Sequence, residues 1–231
     1  RHAEVAHRAG VVVDRAARGA TVTQTIAADS TFTAPSANAS GWFPGRSFDV
    51  SIGGGLQIAT ANQVATGADG AVYILANLGG DSASSAIKGA RDVALLKYDS
   101  AGKLLWTKTL GAADDATGYS LAVSDDGKVA VAGSTTGKIS ADIKGGMDSF
   151  VTVFDSKGVE QWTRQSGTSQ DDKAVGVAFD ADGNVVIAGM TKGPLAGVSQ
   201  GSWDGYLQTF TADGATVSKQ QFGTSGEDSV A

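Results

Sequence analysis

The chain of 231 residues contains no cysteine. That excludes disulfide frameworks, cysteine-ligated zinc, haem attachment and thiol nucleophiles together. Histidine is nearly absent as well. The only two are His2 and His7 at the N-terminus, so the body of the fold has no residues for a histidine triad or a multi-histidine metal site. Three prolines against 32 glycines exclude collagen-like and proline-rich linker compositions. No apolar run approaches the roughly 18 residues that a membrane-spanning helix needs, so no transmembrane segment is expected. Positive charge is in deficit too. The formal net charge is -6 and the pI about 4.8, which speaks against a phosphate-backbone partner, and no nucleic acid is expected. What remains is 42% hydrophobic, ordinary for a globular chain.

A repeat organises that remainder. The segments starting at Asp92, Asp148 and Asp204 align without gaps, and 148 − 92 and 204 − 148 both equal 56. Gly102, Gly158 and Gly214 keep the spacing, as do Gly111, Gly167 and Gly223. Trp106 and Trp162 keep it, with Ser218 in the third copy, and so do Asp115, Asp171 and Glu227. An earlier half-copy, Val64–Ile74, matches Leu121–Val131 at an offset of 57. Within one copy, Tyr119–Val123 and Val129–Ala132 read as strands joined by an Asp126-Gly127 turn. A polar loop from Ser134 to Met147 follows. Ser149–Phe154 and Val159–Gln165 then form a second hairpin around Gly158. Four short antiparallel strands per copy, without a helical period, predict an all-β fold: a β-propeller built from four-stranded blades of about 56 residues. Such a blade cannot bury both faces alone and must stack on others.

Residues 55–231 are expected to hold the blades: a partial first blade, two clear copies and a truncated last copy. Residues 1–54 are a lead-in segment or a degenerate blade. The last copy breaks off within a new crossover after Gly223, which leaves the ring incomplete within this chain. A longer parent chain, or other copies or subunits completing the propeller, is the expected partner.

The run Gly145-Gly146-Met147-Asp148-Ser149-Phe150, with Asp155, Gly158, Trp162, Gly167, Asp171-Asp172 and Asp182-Gly183 following, resembles the bacterial SBBP β-propeller repeat family. The likeness covers residues 55–231 well and the first 54 poorly. It implies a large secreted or cell-surface bacterial protein, hence an extracytoplasmic location, and no single reaction. Asp99-Ser100-Ala101-Gly102-Lys103-Leu104-Leu105-Trp106 is similar to the tryptophan-docking motif of quinoprotein propellers. That second resemblance implies a quinone-dependent oxidoreductase as one reading.

Several residues are candidates for chemistry or contact. The acidic pairs Asp114-Asp115, Asp171-Asp172 and Glu227-Asp228 fall in the crossover loops and would ring one mouth of a channel. There they would hold a cation or a basic peptide, or else bond backbone amides of neighbouring segments. Asp180, Asp182 and Asn184 open like a calcium loop, but a plain hairpin turn also accounts for them. No other metal ligand and no catalytic residue emerges, and calcium is the one candidate ion. Trp106 and Trp162 sit at a fixed place in the repeat, which fits packing between blades. Trp203, Trp42 and Phe43 lie outside that pattern and are candidate partner contacts. Together these features point to a non-enzymatic scaffold for protein–protein interaction. Its long loops around 79–91, 134–147 and 191–203 would face a partner, with a surface-appendage or flagellum-associated role as one version. A ligand- or carbohydrate-binding propeller, calcium-dependent, is the alternative, and a quinoprotein-like enzyme the third.

Overall fold

A computed structural model describes residues 11–12, 22–26, 48–52, 56–79 and 89–230, with side chains from residue 63 onward. Trp42, Phe43 and most of residues 1–54 therefore lie outside the described residues, as does the centre of the loop at 79–91. Every regular element among the described residues is a strand. Three short strands come first: β1 (Val11–Val12), β2 (Val22–Ile26) and β3 (Phe48–Ile52). Three units of four antiparallel strands follow. The first blade is β4 (Leu56–Thr66), β5 (Val72–Gly79), β6 (Arg91–Tyr98) and β7 (Leu104–Leu110). The second is β8 (Ala116–Val123), β9 (Val129–Thr135), β10 (Asp148–Phe154) and β11 (Glu160–Ser166). The third is β12 (Asp172–Phe179), β13 (Val185–Thr191), β14 (Asp204–Phe210) and β15 (Thr216–Phe222). In each blade the strands lie side by side in chain order. Strand β3 pairs antiparallel with β4, and β2 pairs parallel with β3, so the first blade's sheet has seven strands. These are β-propeller blades.

The first strand of each blade is the inner one: β8 packs against both β4 and β12. Each inner strand is bulged against its neighbour, between Gly118 and Ser120 in β8 and between Ala174 and Gly176 in β12. A bulge adds twist and takes an amide out of the ladder. Beside the bulges, the preceding blade supplies an acceptor. The Leu121 amide donates to Gln63 Oε1 at 2.7 Å, and the Val177 amide donates to Ser120 Oγ at 3.1 Å. Strand β8 starts three residues before Tyr119. Ala116, Thr117 and Gly118 favour a strand little on their own, but the ladder to β9 and burial between blades hold them extended.

Stacking explains the apolar runs. Strands β9 and β10 are buried along their whole length. Alternate side chains serve alternate seams. Val129, Val131, Phe150 and Phe154 join Tyr73, Leu75 and Leu95 of the first blade. Ala130, Ala132, Val151 and Val153 join Val185, Ile187, Tyr206 and Phe210 of the third. Each fully buried valine, leucine, isoleucine or phenylalanine among them stabilises by about 1.5–3 kcal/mol. Volumes are matched across the ladder. Phe150 lies opposite Gly133 and Tyr206 opposite Gly189, while the first blade pairs Ala94 with Ala76. A ring lies on each glycine, and where the ring is lost the glycine is lost with it.

The blades have two unlike ends. One carries six hairpin turns whose glycines all have positive φ: Gly70, Gly102, Gly127, Gly158, Gly183 and Gly214. The other carries the crossovers at 111–115 and 167–171 and the long loops at 136–147 and 192–203.

Candidate functional site

The crossover end is built from segments that repeat at 56 residues and are held by the same bonds each time. In the second blade, Gln165 Nε2 donates to Asp148 Oδ2 at 3.1 Å and to the Gly137 carbonyl at 3.3 Å. Its Oε1 accepts the Ile139 amide at 2.9 Å. In the third, Gln221 Nε2 donates to Asp204 Oδ2 at 2.7 Å and to the Gly193 carbonyl at 3.1 Å, and its Oε1 accepts the Ala196 amide at 3.0 Å. Each glutamine thus clamps a long loop onto a carboxylate that is at most 1% exposed. The 56-residue spacing of Gln165 and Gln221 is the only trace of this clamp in the sequence.

The acidic pairs do not share one register. Asp115, Asp171 and Glu227 are equivalent, but Asp114 corresponds to Gln170 and Gly226, and Asp172 and Asp228 correspond to Ala116. Asp171 is half-buried and accepts a bond from Lys192 Nζ at 2.8 Å. Asp115 lies 4.0 Å from Arg91 Nε in an open ion pair. Asp172 turns inward and is fully buried. Its Oδ2 accepts the Thr168 amide at 2.6 Å and the Thr168 hydroxyl at 3.0 Å. Burial raises its pKa above the ordinary aspartate value. The Thr191 and Thr168 hydroxyls and the Thr168 amide oppose that rise, and the Asp148 charge adds to it. Asp228 repeats the arrangement: it accepts the Thr224 amide at 2.6 Å, in a more exposed setting. Asp114 and Glu227 are exposed. Among the described residues, no group of three or more carboxylates and histidines converges as a metal site would require.

Asp180, Asp182 and Asn184 lie at the opposite end, in the β12–β13 turn. Asp180 Oδ1 accepts the amides of Asp182 and Asn184 at 3.0 and 2.8 Å, and Oδ2 accepts Asn184 Nδ2 at 2.9 Å. These bonds, the Asn184 side chain first, lower the Asp180 pKa. Asp99 and Asp155 close their turns in the same way.

Trp106 and Trp162 lie on the outer strands and reach the following blade. Trp106 Nε1 donates to the Ser156 carbonyl at 3.4 Å, and Trp162 Nε1 donates to the Ala212 carbonyl at 2.9 Å. The indoles cover Gly158 and Gly214, where a β-carbon would have no room. Trp203 is placed differently. It sits half-buried at the crossover end, with Lys192 Nζ 4.7 Å and Lys173 Nζ 5.0 Å from its ring centroid. Its carbonyl accepts the Asp228 amide at 2.9 Å. The equivalent positions hold Met147 and Arg91, so this aromatic and basic cluster belongs to the third blade alone.

One family model agrees with this geometry. Residues 161–196, which run from β11 through β12 into the following loop, match the model of the SBBP β-propeller repeat. The chain is 43% identical over 196 residues to the regulatory protein FlaEY of Caulobacter vibrioides, a match spanning 75% of this chain and 20% of that protein. The chain thus spans about a fifth of that relative's length. A Bacteroides caccae protein of unknown function matches in structure with a TM-score of 0.39 at 14% identity, over 58% of this chain and 39% of that one. A eukaryotic initiation factor structure matches with a TM-score of 0.40 at 12% identity, over 70% of this chain and 32% of that one.

Proposed function

From a chain that carries an SBBP-type β-propeller repeat, we propose that this protein is a non-enzymatic interaction scaffold with a regulatory role. It presents the crossover end of its blades to a protein partner outside the cytoplasm. The observation that carries this reading is the Trp203 cluster. A half-buried indole flanked by Lys173 and Lys192 stands on loops that Gln221 and Asp204 clamp in place. An aromatic anchor on a preorganised rim is the usual form of a protein-binding hot spot. The relative's printed description as a regulatory protein supports the same reading. Membership of a surface appendage is its narrower version.

The test is in-cell photocrosslinking with a probe at position 198 on the exposed rim loop, comparing native protein with Trp203→Ala and Lys173→Ala. The scaffold reading expects one dominant protein adduct, lost in both variants while the melting temperature stays within about 2 °C. Adducts unchanged in both variants would remove Trp203 as the contact and the reading with it.

A further inference from the structure

A pocket of about 210 Å³ lies at the outer edge of the first seam, between the first and second blades. Leu110 at the end of β7 forms one wall, and Glu160 and Thr163 of β11 form the other. Ile139 and Ser140, from the loop after β9, complete the lining. That loop is held in place, because Gln165 Oε1 accepts the Ile139 and Ser140 amides at 2.9 and 3.3 Å. The pocket is preorganised, so a ligand entering it does not have to order the loop first.

One seam later, the repeat puts a lysine at this place. Thr163 lies opposite Thr152 across the ladder, and Lys219 lies opposite Gln208 at the same step of the next blade. Gln208 is 1% exposed and its Oε1 accepts the Ser166 hydroxyl at 3.3 Å, so this face of the third blade meets the second. Lys219 thus stands over the second seam where the first has its pocket. Burial, and then the Lys144 charge, hold its ammonium below the ordinary lysine range, while Asp172 opposes that shift. In the first seam the shorter Thr163 leaves the space open, and the walls have changed. Leu110, 6% exposed, stands where the second seam has Ser166, and Glu160 stands where the third blade has Thr216. Glu160 Oε1 accepts the Thr163 hydroxyl at 2.6 Å. No lysine or arginine among the described residues pairs with Glu160 within 4.0 Å. Lys108 packs its stem on Gly158 and does not line the pocket. An apolar strip that ends at a carboxylate suits an alkyl chain with a cationic head.

We propose that this pocket binds an alkylammonium group, the stem and head of a lysine side chain or of a free aliphatic amine. Glu160 takes the ammonium, and Leu110 and Ile139 take the stem. Lys219 is the chain's own counterpart of that ligand, one seam further on. The site is separate from the Trp203 cluster, which stands on the third blade.

The test is titration of the chain with pentylammonium chloride, followed by amide chemical shifts in two-dimensional NMR. Saturable shifts are expected at Leu110 and Ser140, and none with the uncharged 1-pentanol. Glu160→Gln is expected to weaken the affinity by about fivefold. Thr163→Lys, which gives the second blade the third blade's residue, is expected to abolish binding by filling the pocket, with the amide spectrum elsewhere unchanged. Nα-acetyl-lysine methylamide separates the two sources. Binding at least as tight as that of pentylammonium assigns the pocket to a lysine of a protein partner, and weaker binding assigns it to a free amine. Equal affinity for pentylammonium in the native chain and Glu160→Gln overturns the proposal. So does undiminished binding in a folded Thr163→Lys, or the absence of saturable shifts in the native chain.

Discussion

The Asp148 carboxylate occupies the place where a side chain on Gly167 would begin. Its Oδ1 lies against the position a Gly167 β-carbon would take, and Asp172 Oδ2 is 3.1 Å from the same position. Asp92 stands in this way over Gly111, and Asp204 over Gly223. The glycine that closes each outer strand is thus required by the aspartate that opens the third strand of the same blade. A second contact recurs at the same end. Gly89, Gly145 and Gly201 each lie on the carbonyl of a crossover residue, 114, 170 and 226 in turn. The spacing of aspartate and glycine in the repeat is the trace of these close approaches.

Gly167→Ala should therefore destabilise the protein through the clash with Asp148, by about 1–3 kcal/mol. The obstacle is a buried carboxylate held by Gln165, not the free end of a flexible chain. Gly183→Ala gives a contrast, since a β-carbon there meets nothing and only the positive φ of 79° opposes it, at about 1–2 kcal/mol. Urea unfolding of Gly167→Ala, Asp148→Ala and the double variant should give a total loss smaller than the sum of the two single losses. Strict additivity would mean that the two residues do not meet.

The outer tryptophans should separate packing from hydrogen bonding. Trp162→Ala removes a 7% exposed indole from the second seam and should cost about 3–5 kcal/mol. Trp162→Phe keeps most of the contact with Phe210, whose ring centroid is 5.7 Å away. It loses only the bond to the Ala212 carbonyl, worth about 0.5–1.5 kcal/mol. Thermal or chemical denaturation that found the two variants equal would place the whole contribution in the hydrogen bond.

The Asp180 turn predicts indifference to chelation. Both carboxylate oxygens are engaged by the turn's own amides and by Asn184. EDTA should leave the melting temperature unchanged, whereas Asp180→Ala should lower it slightly by leaving two exposed turn amides without their acceptor. A melting point that rises with added calcium in the native chain and not in Asp180→Ala would reverse this.

The blades were readable in the sequence because their demands recur every 56 residues: a turn glycine, an apolar ladder, an outer tryptophan. Trp106 and Trp162 could be assigned to packing from spacing alone. What could not be read is pairing across the repeat. Gln165 sits 17 residues from Asp148 on another strand, and nothing local links an amide to that carboxylate. The acidic pairs looked equivalent as dipeptides, but the strand frame puts Asp172 inside the blade and Asp114 outside it. The starts of the inner strands were hidden too, since Ala116–Gly118 are extended by the neighbouring blades rather than by their own preference. Trp203 stood out as a departure from the repeat, yet the lysines gathered around it come from the start of β12 and the end of β13, 30 and 11 residues back along the chain.

Asp172 supplies the pH dependence. Its folded pKa is raised above the ordinary value of about 3.9 for aspartate, so the folded state binds a proton that the unfolded chain has already released. By linkage, stability falls as pH rises through the interval between the ordinary and the raised pKa, and the whole cost of ionising the buried group is present above it. Asp172→Asn keeps an acceptor for the Thr168 amide and removes the charge beside Asp148. The variant should gain most on the native protein above the raised pKa, and the gain should fade as pH drops below the ordinary aspartate range. Denaturant midpoints measured for both proteins from pH 3.5 to 7.5 report the difference directly. A difference that stays flat across that range would show that Asp172 ionises in the folded blade as easily as in the unfolded chain.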